Sequence, residues 1–144
     1  METEVILDTD IIIDYLKKKP DPKAAQVFHR IETRRLRAFT TSISAFELYR
    51  GARLAPEPDR RMAEIKGLLS CVNSLALDED AAKIASEISV TLEKRGELLD
   101  IRDLLIGAIA KASGLPLLTR NIRHFRRIPD LRVMSPYEFL RKTE

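Results

Sequence analysis

The chain has 144 residues, 44% of them hydrophobic and 33% charged. That suits one folded domain over residues 1–144 with its own core, and it excludes a disordered chain. No apolar run approaches the roughly 18 residues of a membrane-spanning helix, so no membrane association is expected. Net charge is +3 and there is one cysteine, Cys71. An intrachain disulfide is therefore impossible, and a reducing, cytoplasmic setting is expected. The acidic start, Met-Glu-Thr-Glu, does not read as a signal peptide.

Val5-Ile6-Leu7 has the uninterrupted apolar character of a strand buried on both faces, and it runs straight into Asp8-Thr9-Asp10. Asp8 then ends the strand. Thr9 is placed to cap a helix over Asp10–Lys19, where Ile11, Ile12, Tyr15 and Leu16 have helical spacing. Asp10 and Asp14 read as acids on that helix's surface. Asp21-Pro22 opens a second helix, with Ala24, Val27, Phe28 and Ile31 at core spacing. Leu36–Thr41 is short and extended. Ser42 to about Leu54 and Asp59–Cys71 read as helices, with Cys71 as buried filler at the end of the second. Val72–Leu77 reads as a strand. Asp78 caps a long helix that Gly96 stops. A further helix lies within Leu98–Ser113, followed by Gly114. Leu115–Thr119 and Leu131–Met134 are extended, and Ser135-Pro136 starts a last helix. Strands separated by helices imply a parallel sheet covered on both faces, a three-layer α/β/α sandwich.

In such a sheet ligands bind outside the carboxyl ends of the strands. Asp8 ends a strand there. Glu47 lies in the first turns of the helix after the second strand. Asp100 and Asp103 open the helix that returns to Leu117–Thr119, so they too belong at that rim, as does Asn121. Several carboxylates packed together repel one another, and a divalent cation resolves the repulsion. Hard oxygen ligands select Mg²⁺ or Mn²⁺, which stabilise charge on a phosphoryl group and acidify a bound water. Two arginine clusters, Arg34, Arg35 and Arg37 and then Arg120, Arg123, Arg126, Arg127 and Arg132, fit a phosphodiester substrate. Purely structural roles stand beside this reading. Ser44-x-x-Glu47 matches a capping box, and Asp100 and Asp103 suit a helix N-terminus. His29 and His124 lack metal-pair spacing, and no glycine-rich phosphate loop or nucleophile elbow is present. Asp8-x-Asp10 also matches a phosphohydrolase with Asp8 as nucleophile, but no lysine-centred phosphate block accompanies it.

Leu7-Asp8-Thr9-Asp10, Ser42–Gly51, Asp103–Ala110 and Leu118–Phe125 resemble, in order and spacing, the sequence blocks of PIN-domain ribonucleases, and of VapC toxins of type II toxin–antitoxin systems in particular. The resemblance implies a PIN-like fold, metal-dependent endonucleolytic cleavage of RNA, a VapB-like antitoxin that blocks the site, and a homodimer. It matches Asp8, Glu47 and Asp103 to the family's first three acids, with Asp8 and Asp103 as metal ligands and Asp100 one turn earlier sharing the site. Thr9, Arg120, Asn121 and Arg123 are expected to contact substrate. The sequence departs from the family where an Asp often stands at the Asn121 or His124 position. That departure leaves a second reading open, a weak or inactive PIN-like module that binds RNA or a protein partner. Ile12, Tyr15, Leu16 and Leu48 are candidate partner contacts, with core burial as the alternative.

Overall fold

The computed structural model describes residues 3–143; Met1, Glu2 and Glu144, the ends of the expected domain, lie outside the described residues. The first half of the chain runs β1 (Thr3–Leu7), α1 (Thr9–Tyr15), α2 (Pro22–Glu32), β2 (Leu36–Thr41), α3 (Ser42–Arg53), α4 (Pro58–Leu69) and β3 (Asn73–Leu75). The second half runs α5 (Glu79–Lys94), α6 (Ile101–Ser113), β4 (Leu117–Leu118), α7 (Ile122–Phe125), β5 (Val133–Met134) and α8 (Pro136–Lys142).

The five strands form one parallel sheet in the order β3-β2-β1-β4-β5. From β1 the chain moves outward through β2 to β3, then crosses back to β4 and on to β5. The reversal opens a crevice at the carboxyl ends of β1 and β4, the place where open α/β sheets take ligands. Side chains alternate across the sheet and feed two cores. Val5, Leu7, Ala38 and Leu118 pack with Ile12, Val27, Phe28, Leu48, Ile65 and Phe139 on one face. Ile6 and Leu117 pack with Ile88, Leu92, Ile106, Phe125 and Ile128 on the other. Helices α1–α4 and α8 thus cover one side and α5–α7 the other, which is the expected sandwich.

The caps read from the sequence hold at several ends. Asp21 accepts from the backbone N–H groups of Lys23 and Ala24, Asp78 from Ala81, and Ser135 from Glu138. Gly114 closes α6 at φ 73°, a left-handed conformation that a side chain would strain. Within α6, Gly107 is required for another reason: a methyl there would overlap Cδ1 of buried Ile128.

Four expectations change. The first helix ends at Tyr15 with Leu16 as its cap, short of Lys19, and Pro20 disfavours helical backbone at the residue before it. The third strand shrinks to Asn73–Leu75. Cys71 is exposed rather than buried: α4 stops at Leu69, the chain turns, and Val72 takes the core position. Helix α7 had no periodic signal, since four residues make only one turn.

Phe125 is fully buried and anchors α7 under the second core. Phe125→Ala is expected to lower unfolding free energy by about 3–5 kcal/mol, read by urea denaturation.

Candidate active site

Asp8 follows β1 directly, and the sheet ladder continues through it: its backbone N–H donates to the Leu118 carbonyl at 2.9 Å. Its backbone is extended and its side chain caps α1, accepting from the Thr9 N–H at 2.8 Å. The expected division of labour is therefore shifted by one residue. Asp8 is the cap, and Thr9 is the first helical residue. The Thr9 hydroxyl, buried against the sheet edge, donates to Glu47 Oε1 at 2.9 Å.

That bond settles the role of Glu47 within α3. The helix is capped by Thr41, whose Oγ1 accepts from the Ser44 N–H at 3.0 Å. Glu47 does not reach back to close a capping box; it points across the crevice to Thr9. Asp103 sits in the first turn of α6, half-buried, and accepts from the Asn121 side-chain amide at 3.5 Å. Asp8, Glu47, Asp103 and Asn121 thus meet at one rim, with Thr9 linking Asp8 to Glu47. Asp100 caps α6 through the Arg102 N–H at 2.9 Å and pairs with the Arg102 guanidinium at 3.1 Å. It is exposed beside the rim, near enough to raise Asp103 electrostatically.

Three residues of the site went unread in the sequence. Thr119 is fully buried at the end of β4 and donates to Asp8 Oδ2 at 2.7 Å, while its oxygen accepts from the Asn121 N–H at 2.9 Å. The available signal was a hydroxyl following a buried strand. Arg102 reaches Glu47 Oε2 at 3.6 Å as well as Asp100. Asp10, expected on the helix surface, is half-buried; its Oδ2 accepts from the Arg120 N–H at 3.0 Å and lies 3.3 Å from the Thr119 hydroxyl. Asp14 is also buried, contrary to expectation. Arg120 holds it at 2.6 Å and Lys17 at 3.0 Å. Both corrections have one cause: the outer side of α1 faces the loop after β4 instead of solvent.

The arginines divide by position. Arg34 and Arg35 precede β2 at the amino edge of the sheet, and Arg37 pairs with Glu4 at 3.5 Å, so the first cluster stands away from the rim. Arg123 is exposed on α7 beside Asn121. Arg120 is committed to Asp14, with its side chain 57% exposed.

Burial and mutual repulsion shape the acids. Desolvation, helped by the charges of Asp10 and Asp103, pushes Asp8 up to about 7 against hydrogen bonds from Thr119 and Thr9. Asp103 is raised by burial, then by Asp100 and Glu47. Asp10 is raised by burial, and its Oδ1 is buried without a hydrogen-bond partner. Arg102 offsets part of the negative charge, at Glu47 and Asp100, but among the described residues no ion pair reaches Asp8 or Asp103, and the carboxylate donors are all hard oxygens. Such a set fits Mg²⁺ or Mn²⁺. As they stand, no three carboxylate, imidazole or thiol groups among the described residues are grouped closely enough to share an ion.

A parallel sandwich with acids at the carboxyl edge of its central strand is consistent with the PIN fold, and the chain belongs to that family: the PIN domain model matches residues 5–131. Within that family the similarity runs to VapC ribonucleases. The chain is 32% identical over 127 residues to Ribonuclease VapC2 of Haemophilus influenzae, covering 88% of this chain and 93% of the relative. It is 31% identical over 128 residues to the tRNA(fMet)-specific endonuclease VapC of Salmonella typhimurium, covering 89% and 94%. The DNA-bound VapBC structure from Salmonella typhimurium contains a chain that superposes with a TM-score of 0.83 at 30% identity, covering 94% of this chain and 99% of that one. A chain of VapBC-1 from nontypeable Haemophilus influenzae gives 0.81 at 28% identity, with the same coverage. No described helix is long and apolar enough to cross a membrane.

The raised acids set a pH dependence for the metal-free protein. An acid whose pKa rises on folding binds more protons folded than unfolded, so stability falls as pH increases across the interval. For Asp8 the contribution is complete below its ordinary value of 3.8 and is lost as pH rises through about 7. In EDTA, unfolding free energy is expected to fall between these limits by something on the order of 2–4 kcal/mol. Asp8→Asn should flatten the profile, as measured by urea titrations at stepped pH.

Proposed function

We propose that the protein is a metal-dependent endoribonuclease, the toxin of a VapBC-type toxin–antitoxin pair, with residues 1–144 acting as one domain. One observation carries the reading: Asp8, Glu47 and Asp103 arrive from three separate elements at a single crevice, where burial and neighbouring acids raise Asp8 and Asp103. Membership of the PIN family supplies the chemistry to match.

In this mechanism Asp8 and Asp103 hold Mg²⁺ or Mn²⁺, with Glu47 beside them. When bound, such an ion supplies positive charge to the phosphoryl oxygens and lowers the pKa of a water. The chain's own groups do the remaining work. Thr119 and the Thr9 N–H fix both oxygens of Asp8. The Thr9 hydroxyl holds Glu47 through one oxygen, leaving the other to take a proton from the attacking water. The water's oxygen forms a bond to phosphorus as the bond to the leaving sugar oxygen breaks in line, and that oxygen takes a proton from solvent water to leave as a hydroxyl. Asn121, held on Asp103, stands at the rim; its amide donates to substrate or to an ordered water. Arg123 is free to meet a flanking phosphate. Arg120 serves chiefly to brace the loop after β4 against Asp14.

The antitoxin surface is assigned to the groove between α1, α2 and α4. Tyr15, Leu16, Phe28, Ile31, Leu68 and Cys71 line about 330 Å³ of open, mostly apolar space there. Ile12 and Leu48 are not available to a partner, because both are buried in the core. A VapB-like antitoxin helix suits this groove, and the solved complexes named above pair VapC chains with VapB. A homodimer is proposed on the same kinship.

Asp8→Asn should reduce cleavage of a mixed RNA substrate about 100-fold or more, with an unchanged far-ultraviolet circular dichroism spectrum. EDTA should abolish cleavage by the native chain, and Mn²⁺ or Mg²⁺ should restore it. Full activity in Asp8→Asn, or activity indifferent to chelation, refutes the mechanism.

A further inference from the structure

Arg102 pairs with two of the rim's acids, Glu47 and Asp100, and the chemistry above does not use it. Its position is built by α6 itself. Asp100 caps that helix through the Arg102 N–H at 2.9 Å and also accepts from Arg102 Nε at 3.1 Å. The guanidinium is thereby carried over the crevice, where Nη1 lies 3.6 Å from Glu47 Oε2. Its charge also pulls Asp103 down against burial. Arg102 therefore neutralises the side of Glu47 that Thr9 leaves free.

Arg102 is held from the solvent side: Asp100 accepts from its Nε at 3.1 Å and its Nη2 at 3.5 Å, with both side chains open to water. Its side chain is 51% exposed, Asp100 50% and Glu47 22%, and exposed pairs of this kind contribute little. At 3.6 Å the contact with Glu47 is an ion pair without a hydrogen bond. Arg120 is the contrasting case, with Nε 2.6 Å from a carboxylate that is 5% exposed. One rim arginine is fixed and the other is free to leave. Guanidinium forks match phosphate geometry, and a cation entering beside Glu47 would repel the one already there.

We propose that Arg102 is a substrate-binding residue that rests on Glu47 in the free protein, competes there with the divalent cation, and moves onto a backbone phosphate of the RNA as the cation enters. The inference builds on the nuclease reading but separates from it experimentally.

The test uses the full chain, native and with Arg102→Ala or Arg102→Lys. Mn²⁺ alone is titrated by calorimetry without RNA, and Arg102→Ala should bind it about threefold or more tightly. Binding of a single-stranded RNA is followed by fluorescence anisotropy in Ca²⁺, with the RNA checked as intact on a gel. Arg102→Ala should weaken RNA binding about tenfold and reduce the salt slope by about one, while Arg102→Lys keeps most of the affinity. Unchanged Mn²⁺ affinity, unchanged RNA affinity, or a native chain that does not bind RNA overturns the proposal. Arg102 is exposed, so both variants should fold, and matching thermal melts confirm it. A native chain that binds RNA through Arg102 but cleaves none with Mg²⁺ or Mn²⁺ refutes the nuclease reading and leaves this one standing.

Discussion

Asp8 places a carboxylate in a crevice that excludes water and already holds Asp10 and Asp103. The surrounding structure answers that constraint. β1 and β4 continue their ladder past the acid, so the Thr119 hydroxyl can donate to one oxygen while the start of α1 donates to the other. Those bonds position the group but do not neutralise it. Its pKa remains raised because desolvation outweighs two hydrogen bonds. The same imbalance that costs the metal-free fold stability makes the crevice attractive to a hard cation. Site and strain have one electrostatic origin.

Around that centre the two arginines illustrate how burial assigns roles. Arg120 has an almost buried partner, Asp14, and its backbone N–H is held by Asp10. Together these bonds pin the loop that presents Asn121. Arg102 has exposed partners and remains movable. Sequence position suggested the opposite, since Arg120 lies inside a family-like block and Arg102 was passed over between two acids. Neither charge nor spacing distinguishes them; the solvent exposure of the partner does.

Asp100 shows a similar division. Two readings were open, a shared catalytic acid and a helix cap. Its bonds to the Arg102 backbone and guanidinium account for the cap, and its charge still reaches Asp103. At Glu47 the local pattern was not used: a capping-box spacing is present, but Thr41 occupies the cap, and Glu47 accepts from the Thr9 hydroxyl across 38 positions of sequence. A local motif states what a side chain can do nearby. Whether it does so depends on which nearby donor is already satisfied.

Hydrophobic periodicity and capping residues by themselves determined most of the helices, the parallel sheet and the edge at which Asp8, Glu47 and Asp103 assemble. Those features follow from local stereochemistry and from the geometry of strand–helix–strand crossovers, both legible along the chain. Tertiary structure alone decided that Asp10 and Asp14 turn inward, that Thr119 secures Asp8, that Cys71 leaves the core and that Arg102 lies on Glu47. Each depends on the approach of segments distant in sequence, and partnering there is set by burial and exposure that no spacing rule encodes.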